Sequence, residues 1–325
     1  MAARALGALL WFFVFLAFTA TSAMAGQPNW PASLTLVTAS PGGTYHVYGA
    51  EVAKLLTRAL DLPVAERTTE GPSENIRLIE AGEAQIGFVT LGAALQAWNG
   101  EGDWTHGRTY RGFRAAFPMY DTPFQFVVPQ ASSIQSVGEL EGMRIGVGPD
   151  GGTAGTYLPR FLATLGINAT LVHGTWDELA AEMENGNLDA LAAAGGAPFP
   201  VIAALEKKKA VRFVPLSDDQ VVALRLAIPE LTASQITPGT YPSLMAPYRT
   251  VGLYNFAVVR ADLPADLVFD IVAAVFAGHD QLVSAHPAAA ATVPQNFTYN
   301  TFLPYHEGAS RYYSQRMIAG GIRGD

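Results

Sequence analysis

Cysteine is absent from the 325 residues, which excludes disulfides, thiol nucleophiles and cysteine-bound metals. Charge is scarce too. Only 15% of residues are Asp, Glu, Lys or Arg, the formal net charge is −8, and Lys207-Lys208-Lys209 is the one cationic cluster. An acidic chain without basic runs argues against nucleic acid or an anionic membrane as partner. The six histidines, His46, His106, His173, His279, His286 and His306, are scattered and form no ligand pair. There is no Gly-x-Ser-x-Gly elbow and no phosphate loop ending Gly-Lys-Ser/Thr. Adjacent acids such as Asp218-Asp219 point apart on a helix or a strand, so they are no acid/base couple. The chain is therefore expected to carry no catalytic residues, no metal and no cofactor.

Long apolar runs are missing after the first twenty residues. Within them, Arg4 is followed by an apolar core over residues 6–20 and then Ala23-Met24-Ala25, a small-x-small triplet. That order predicts a secretory signal peptide over residues 1–25, cleaved after Ala25, and hence a periplasmic mature protein. No cysteine follows the core to carry a lipid anchor.

Glycine, by contrast, is placed with purpose. The apolar run Leu34-Thr35-Leu36-Val37 reads as a buried strand, and Val52, Leu55, Leu56, Ala59 and Leu60 recur at helical spacing. Between them lies Ser40-Pro41-Gly42-Gly43-Thr44-Tyr45. Strand, glycine turn and helix start together aim backbone N–H groups and a positive helix end at one spot, which suits a carboxylate. The same plan returns at residues 144–157, where Arg144-Ile145-Gly146-Val147-Gly148 leads through a glycine loop to Gly155-Thr156-Tyr157. An echo follows each copy: Glu80-Ala81-Gly82 precedes Ile86-Gly87-Phe88-Val89, and Glu184-Asn185-Gly186 precedes Leu188 to Ala192. Each pair reads as a helix ended by glycine before a buried strand. Two α/β lobes of like plan are predicted, each with an anion-friendly loop, with a ligand cleft between them.

Several other positions point to that cleft. Ser73 reads as the N-cap of a helix carrying Ile76 and Ile79, with Asn75 in its first turn offering an amide. Thr90 ends a strand, where open α/β sheets present ligand groups. Gly195-Gly196-Ala197-Pro198 follows another strand and lets a ligand approach the backbone, with Pro198 at its edge. Thr175-Trp176-Asp177-Glu178 is a capping box. Asp262-Leu263-Pro264 reads as a helix start with Asp as cap. The Pro- and Thr-rich residues 229–247 read as a long loop near the cleft rim. Chain crossings near 121–128 and 249–258 would form a hinge. Arg67, Arg111, Arg114 and Arg225 are each available for a second carboxylate, and the sequence does not choose between them.

As an ordered set these residues resemble a known family. The set comprises Ser40-Pro-Gly-Gly-Thr-Tyr45, Ser73-Glu-Asn75 with Arg77-Leu78, Gly87-Phe88-Val89, Ile145-Gly146-Val147-Gly148-Pro149, Thr240-Tyr241-Pro242, and Tyr254-Asn255 with Val258 to Pro264. It resembles the TAXI proteins, the extracytoplasmic solute-binding subunits of a class of TRAP transporters. The chain departs from that pattern in the loop at 149–156 and at Thr90-Leu91-Gly92, where a more polar run is common. The resemblance implies an α/β, two-lobed periplasmic-binding-protein fold of the type with two crossover strands (type II). Residues 26–122 with 252–325 would form lobe one, and 123–251 lobe two. It implies integral TRAP membrane subunits, sometimes fused, as partners. It implies ligands such as glutamate, glutamine or dicarboxylates, and it carries the ligand contacts onto Gly43, Thr44, Tyr45, Ser73 and Asn75. Thr153, Gly155 and Thr156 are expected to grip the same ligand from lobe two. A sensory module presenting its closed form to a receptor is the alternative, and an enzyme on the same fold a more distant one.

Overall fold

The computed structural model describes residues 29–318 and Gly320. The predicted signal peptide and its cleavage site lie outside the described residues.

The chain opens with a strand β1 (Leu34–Val37), a helix α1 (Thr44–Leu60), β2 (Val64–Arg67), α2 (Pro72–Glu80), β3 (Ile86–Thr90) and α3 (Leu91–Asn99), the last with no counterpart in the sequence reading. A long strand β4 (Phe113–Pro129) follows. Then come β5 (Arg144–Gly148), α4 (Thr153–Leu165), β6 (Thr170–His173), α5 (Trp176–Glu184), β7 (Ala190–Ala194), α6 (Pro200–Glu206) and β8 (Val211–Phe213). The chain continues with α7 (Asp218–Ala227), β9 (Thr232–Ile236), a second long strand β10 (Tyr248–Arg260), α8 (Ala265–Ala277), α9 (His279–Ala285) and α10 (Glu307–Ile318). Among the described residues, no single helix is long and apolar enough to cross a membrane.

One mixed sheet runs in the order β2-β1-β3-β10-β4-β7-β5-β6, with β8 on β4 and β9 on β10. β1 is parallel to β2 and β3, and β5 is parallel to β6 and β7. Both triplets are strands linked through helices; the inner strands β1, β3, β5 and β7 are mostly buried, while the outer strands β2 and β6 stay partly exposed. β4 and β10 join the triplets. β4 pairs antiparallel with β10 as far as Pro123 and with β7 from Phe124 onward. The crossings expected near 121–128 and 249–258 are thus these two strands. Around β5 and β7 the core is built from Phe124, Phe126, Phe161, Leu158 and Ile145. Around β3 and β10 it is built from Ile76, Ile79, Val89, Phe113 and Phe256.

The internal repeat extends to single hydrogen bonds. After α2, Gly82 N donates to Ile79 O (3.0 Å) and Glu83 N to Leu78 O (2.9 Å). After α5, Gly186 N donates to Met183 O (3.2 Å) and Asn187 N to Glu182 O (2.8 Å). The glycines take φ of +78° and +81°, the left-handed conformation that ends a helix at no steric penalty.

Three local expectations are corrected. Ser73 is not the N-cap of α2. Gly71 caps it, and Pro72, whose fixed φ and missing N–H suit the first turn, starts it. Asp262 does not cap α8, which begins at Ala265 after Pro264; its carboxylate pairs instead with Arg260. The stretch 229–247 is not all loop, because Thr232–Ile236 forms an edge strand against β10.

β4 also buries an acid. Ser234 Oγ of β9 donates to Asp121 Oδ2, while Asp121 Oδ1 is buried with no hydrogen-bond partner among the described residues. Tyr254 of β10 lies opposite. Burial pushes the carboxyl from 3.8 up to about 6, partly offset by the Ser234 hydroxyl. The folded chain therefore holds this proton at pH values where the unfolded chain has released it. The stability so contributed is full below about pH 4 and is lost as pH rises to about 6, a loss on the order of 2–3 kcal/mol. Asp121→Asn should flatten the stability profile over that interval, measured as the difference between the two proteins' urea midpoints from pH 4 to 7. Parallel profiles would show that Asp121 titrates normally.

Candidate ligand-binding site

Three helix starts meet at one cavity. α1 begins after Gly43, α2 after Gly71 and α4 after Gly152, and none has a side chain bonded to its first-turn amides. Helices α3, α5 and α7, by contrast, are capped by the side chains of Thr90, Thr175 and Ser217. A helix whose first amides lack side-chain acceptors holds unspent donors and a partial positive charge. Ser40, Gly43, Thr44 and Tyr45 line the cavity from one side, with Glu70, Gly71 and Pro72 beside them. Gly152, Thr153 and Ala154 face them, together with Trp176, Gly195 and Phe199. The cavity volume is ≈ 40 Å³, room for roughly three waters.

Three aromatic walls shape it. Trp176 and Phe199 pack edge to face with ring centroids 5.0 Å apart. The indole has room because residues 42 and 148 are glycines. A Cβ on Gly148 would stand 2.5 Å from the Trp176 ring, and one on Gly42 2.9 Å from Trp176 Cβ. Both also have positive φ, +76° and +83°, so a side chain there would be strained as well as obstructed. The third wall is Tyr45, whose hydroxyl donates to Asn255 Oδ1 (2.6 Å) and so points into the sheet, not into the cavity. Burial raises its pKa, and it stays a neutral phenol.

The expected site residues fall into two groups. Gly43, Thr44, Tyr45 and Thr153 line the cavity. Thr44 Oγ1, however, donates to Gly196 O (2.7 Å), so its backbone N–H is what it has left to offer. Ser73, Thr90 and Thr156 do not line the cavity; with Thr153 they surround an adjacent void of ≈ 10 Å³. Ser73 Oγ reaches Gly151 O at 3.3 Å, and Thr90 Oγ1 accepts from Ala93 N at 3.1 Å. Asn75 is fully buried and fully used, its Nδ2 donating to Thr38 O (2.7 Å) and Phe88 O (2.8 Å) while Oδ1 accepts from Thr69 (2.7 Å). Gly155 lets the first turn of α4 close on the preceding loop, since a Cβ there would lie 2.5 Å from Pro149 O. Pro198, in a cis peptide bond with Ala197, accepts at its carbonyl from His286 Nε2 (3.0 Å), one residue before the Phe199 wall.

The electrostatics are simple. Glu70 is the one charged side chain that lines the cavity among the described residues. None of the four arginines offered for a second carboxylate reaches it. Arg67 faces Glu83 (3.4 Å), Arg111 lies 4.1 Å over the Trp98 ring, and Arg114 bonds the carbonyls of Arg111 and Phe113. Arg225 sits in the last turn of α7. His46 pairs with Glu66 (3.2 Å) and also stays outside. What the site offers an anion is therefore backbone amides and helix ends, closed over by aromatic rings.

A mixed α/β sheet with paired strand–glycine–helix units and a cavity between them defines the two-lobed periplasmic-binding-protein fold. The chain belongs to the NMT1-like family, whose sequence model matches residues 36–316. Among solved structures it is similar to one described as a periplasmic transporter, with 14% identity, TM-score 0.53, and 88% of this chain and 96% of that chain covered. It is also similar to the GluR0 ligand-binding core in complex with L-glutamate, with 11% identity, TM-score 0.51, and 81% and 99% covered. A third is the alkanesulfonate-binding protein SsuA from Xanthomonas axonopodis pv. citri bound to MOPS, with 15% identity, TM-score 0.50, and 88% and 84% covered. At these identities the likeness is one of fold.

Proposed function

We propose that this protein is an extracytoplasmic solute-binding protein that closes around a small carboxylate-bearing solute. The observation that carries the reading is the convergence of three glycine-capped helix starts on one cavity. The amides at the starts of α1 and α4 take the carboxylate, and Trp176 and Phe199 cover its apolar part. Each hydrogen bond to the charged group contributes about 1.5–3 kcal/mol, so two or three of them offset the association penalty and leave micromolar affinity within reach. Lobe one comprises residues 26–122 with 252–325 and lobe two residues 123–251, and β4 with β10 is the hinge between them. The likeness to binding proteins supports this division, as does the change of β4's partner at Pro123 and Phe124. Delivery to the integral subunits of a TRAP transporter, as a TAXI-type protein, rests on the sequence resemblance, and export behind a cleaved signal peptide rests on the pattern of residues 1–25.

The lining sharpens the ligand class. Without a cation in the cavity, the second carboxylate of glutamate or of a dicarboxylate has no partner. Glu70 instead suits an ammonium group. A monocarboxylate or a zwitterion such as glutamine is favoured.

The test is a thermal-shift screen of protein refolded free of carried-over ligand. Short monocarboxylates and neutral amino acids should raise the melting temperature, and C4 dicarboxylates should not. At a hundred times Kd the stabilisation is about 2.7 kcal/mol, worth roughly 4 °C for a protein of this size. A rise with dicarboxylates alone would overturn the ligand class. A flat response to every carboxylate would overturn the site.

A further inference from the structure

The two hinge strands carry polar groups on both faces. Thr122 and Asn255 serve the cavity side, where their side chains bond each other and Tyr45. Their neighbours Asp121 and Tyr254, paired across the strands, emerge on the other side. There they border a second cavity of ≈ 520 Å³. That volume is in the range of small-molecule sites. Its walls are Leu91 and Leu95 of α3, Tyr254, Tyr299 and Phe302. The Tyr254 and Tyr299 rings are in contact, their centroids 4.3 Å apart and their planes tilted by 30°, with Tyr299 half exposed at the rim.

Two carboxylates face this space, and their situations differ. Glu230 Oε1 is already supplied: Gln96 Nε2 (3.2 Å) and Tyr157 Oη (3.3 Å) donate to it, and Arg160 Nη1 stands 4.0 Å away. Asp121 is held by the Ser234 hydroxyl and the Thr122 backbone, its Oδ1 is covered by the Gly252 strand, and no cationic side chain among the described residues lines the cavity beside it. A desolvated carboxylate with no positive charge beside it is unfavourable, and a cation in the cavity offsets that penalty. The surroundings exclude a metal as that cation, because the described residues hold no group of three His, Asp or Glu able to ligate one. Hard cations also demand six or more oxygens. Aromatic faces beside a lone carboxylate are instead the setting for an organic ammonium.

We propose that the cavity behind β4 and β10 binds a small organic monocation with an apolar or aromatic body. Its ammonium group lies against the Asp121 carboxylate, and its body packs on the Tyr254–Tyr299 pair and Leu95. The assignment does not depend on what the front cavity binds.

Titration calorimetry with benzylammonium, with benzyl alcohol and benzoate as neutral and anionic probes of the same body, tests it. Benzylammonium should bind at least tenfold tighter than benzyl alcohol, and benzoate weaker still. Asp121→Asn should remove the preference for the cation while leaving benzyl alcohol binding within about twofold. Tyr299→Ala should weaken benzylammonium several-fold, and Leu95→Trp, which fills the cavity, should abolish its binding. If Asp121→Asn does not fold, these two variants decide. No benzylammonium binding at millimolar concentration, equal binding of the alcohol, or wild-type affinity in Leu95→Trp would each overturn the proposal.

Discussion

Replacing Thr153 by proline is expected to weaken carboxylate binding by about 10- to 150-fold while leaving the fold intact. Thr153 is the first residue of α4 and lines the front cavity, and its amide has no acceptor among the described residues. Proline at the first helical position removes that amide and little else, because its φ already suits the helix. The residue before a proline must be extended, and Gly152 already is, at φ −74° and ψ 159°. The next helical bond, Thr156 N to Gly152 O (2.9 Å), is untouched. The expected loss is that of one hydrogen bond to a charged group, about 1.5–3 kcal/mol. Thr153→Ala keeps the amide and should lose only a few-fold. Asp218→Pro makes the same change at the start of α7, away from the cavity, and should not alter affinity. Measured by calorimetry on the best carboxylate from the screen, equal losses for Thr153→Ala and Thr153→Pro would mean that the hydroxyl, not the helix start, holds the ligand.

That contrast between backbone and side chain also explains how much was legible in the sequence. The two strand–glycine–helix units were readable because each is local. Apolar spacing sets the strand and helix, and glycine sets the turn, and Gly43, Thr44, Tyr45 and Thr153 line the cavity. Side chains expected to reach the ligand were harder. Asn75 and Thr90 looked available because nothing in a linear sequence shows that Thr38, Phe88 and Ala93 come to meet them. Trp176 appeared only as part of a capping box. Its place in the cavity wall depends on space left by Gly42 and Gly148, far away in the chain. Phe199 was hidden in the same way behind Pro198. β9 escaped because Thr-Ala-Ser-Gln-Ile is a mostly exposed edge strand with one buried residue, Ile236, and so lacks an apolar alternation. Asp121 carried no signal at all, since a single acid in an aromatic strand looks like any other until its neighbours are known.

Asn75 provides the second large effect, and it separates a structural amide from a ligand contact. Its side chain ties the start of α2 to the ends of β1 and β3 through Thr38 O and Phe88 O, with Thr69 completing the set. Asn75→Leu keeps the branched outline of the side chain but not its polar atoms, and leaves these buried groups short of partners, at about 1–3 kcal/mol for each group left unpaired. The expected total is about 3–5 kcal/mol, a large fraction of a typical net stability, and a fall in Tm of roughly 5–8 °C. Asn75→Asp is the sharper variant, because it sets a carboxylate oxygen against two carbonyl oxygens. Only the protonated acid can donate there, so this variant should be much more stable at pH 4 than at pH 7 relative to wild type, whereas Asn75→Leu should show no such dependence. Affinity should fall in both only as far as α2 loses its place beside the cavity. If Asn75→Leu instead kept the wild-type Tm and lost binding, the amide would be reaching the ligand directly, and the clamp between α2 and the strand ends would have to be formed by other groups.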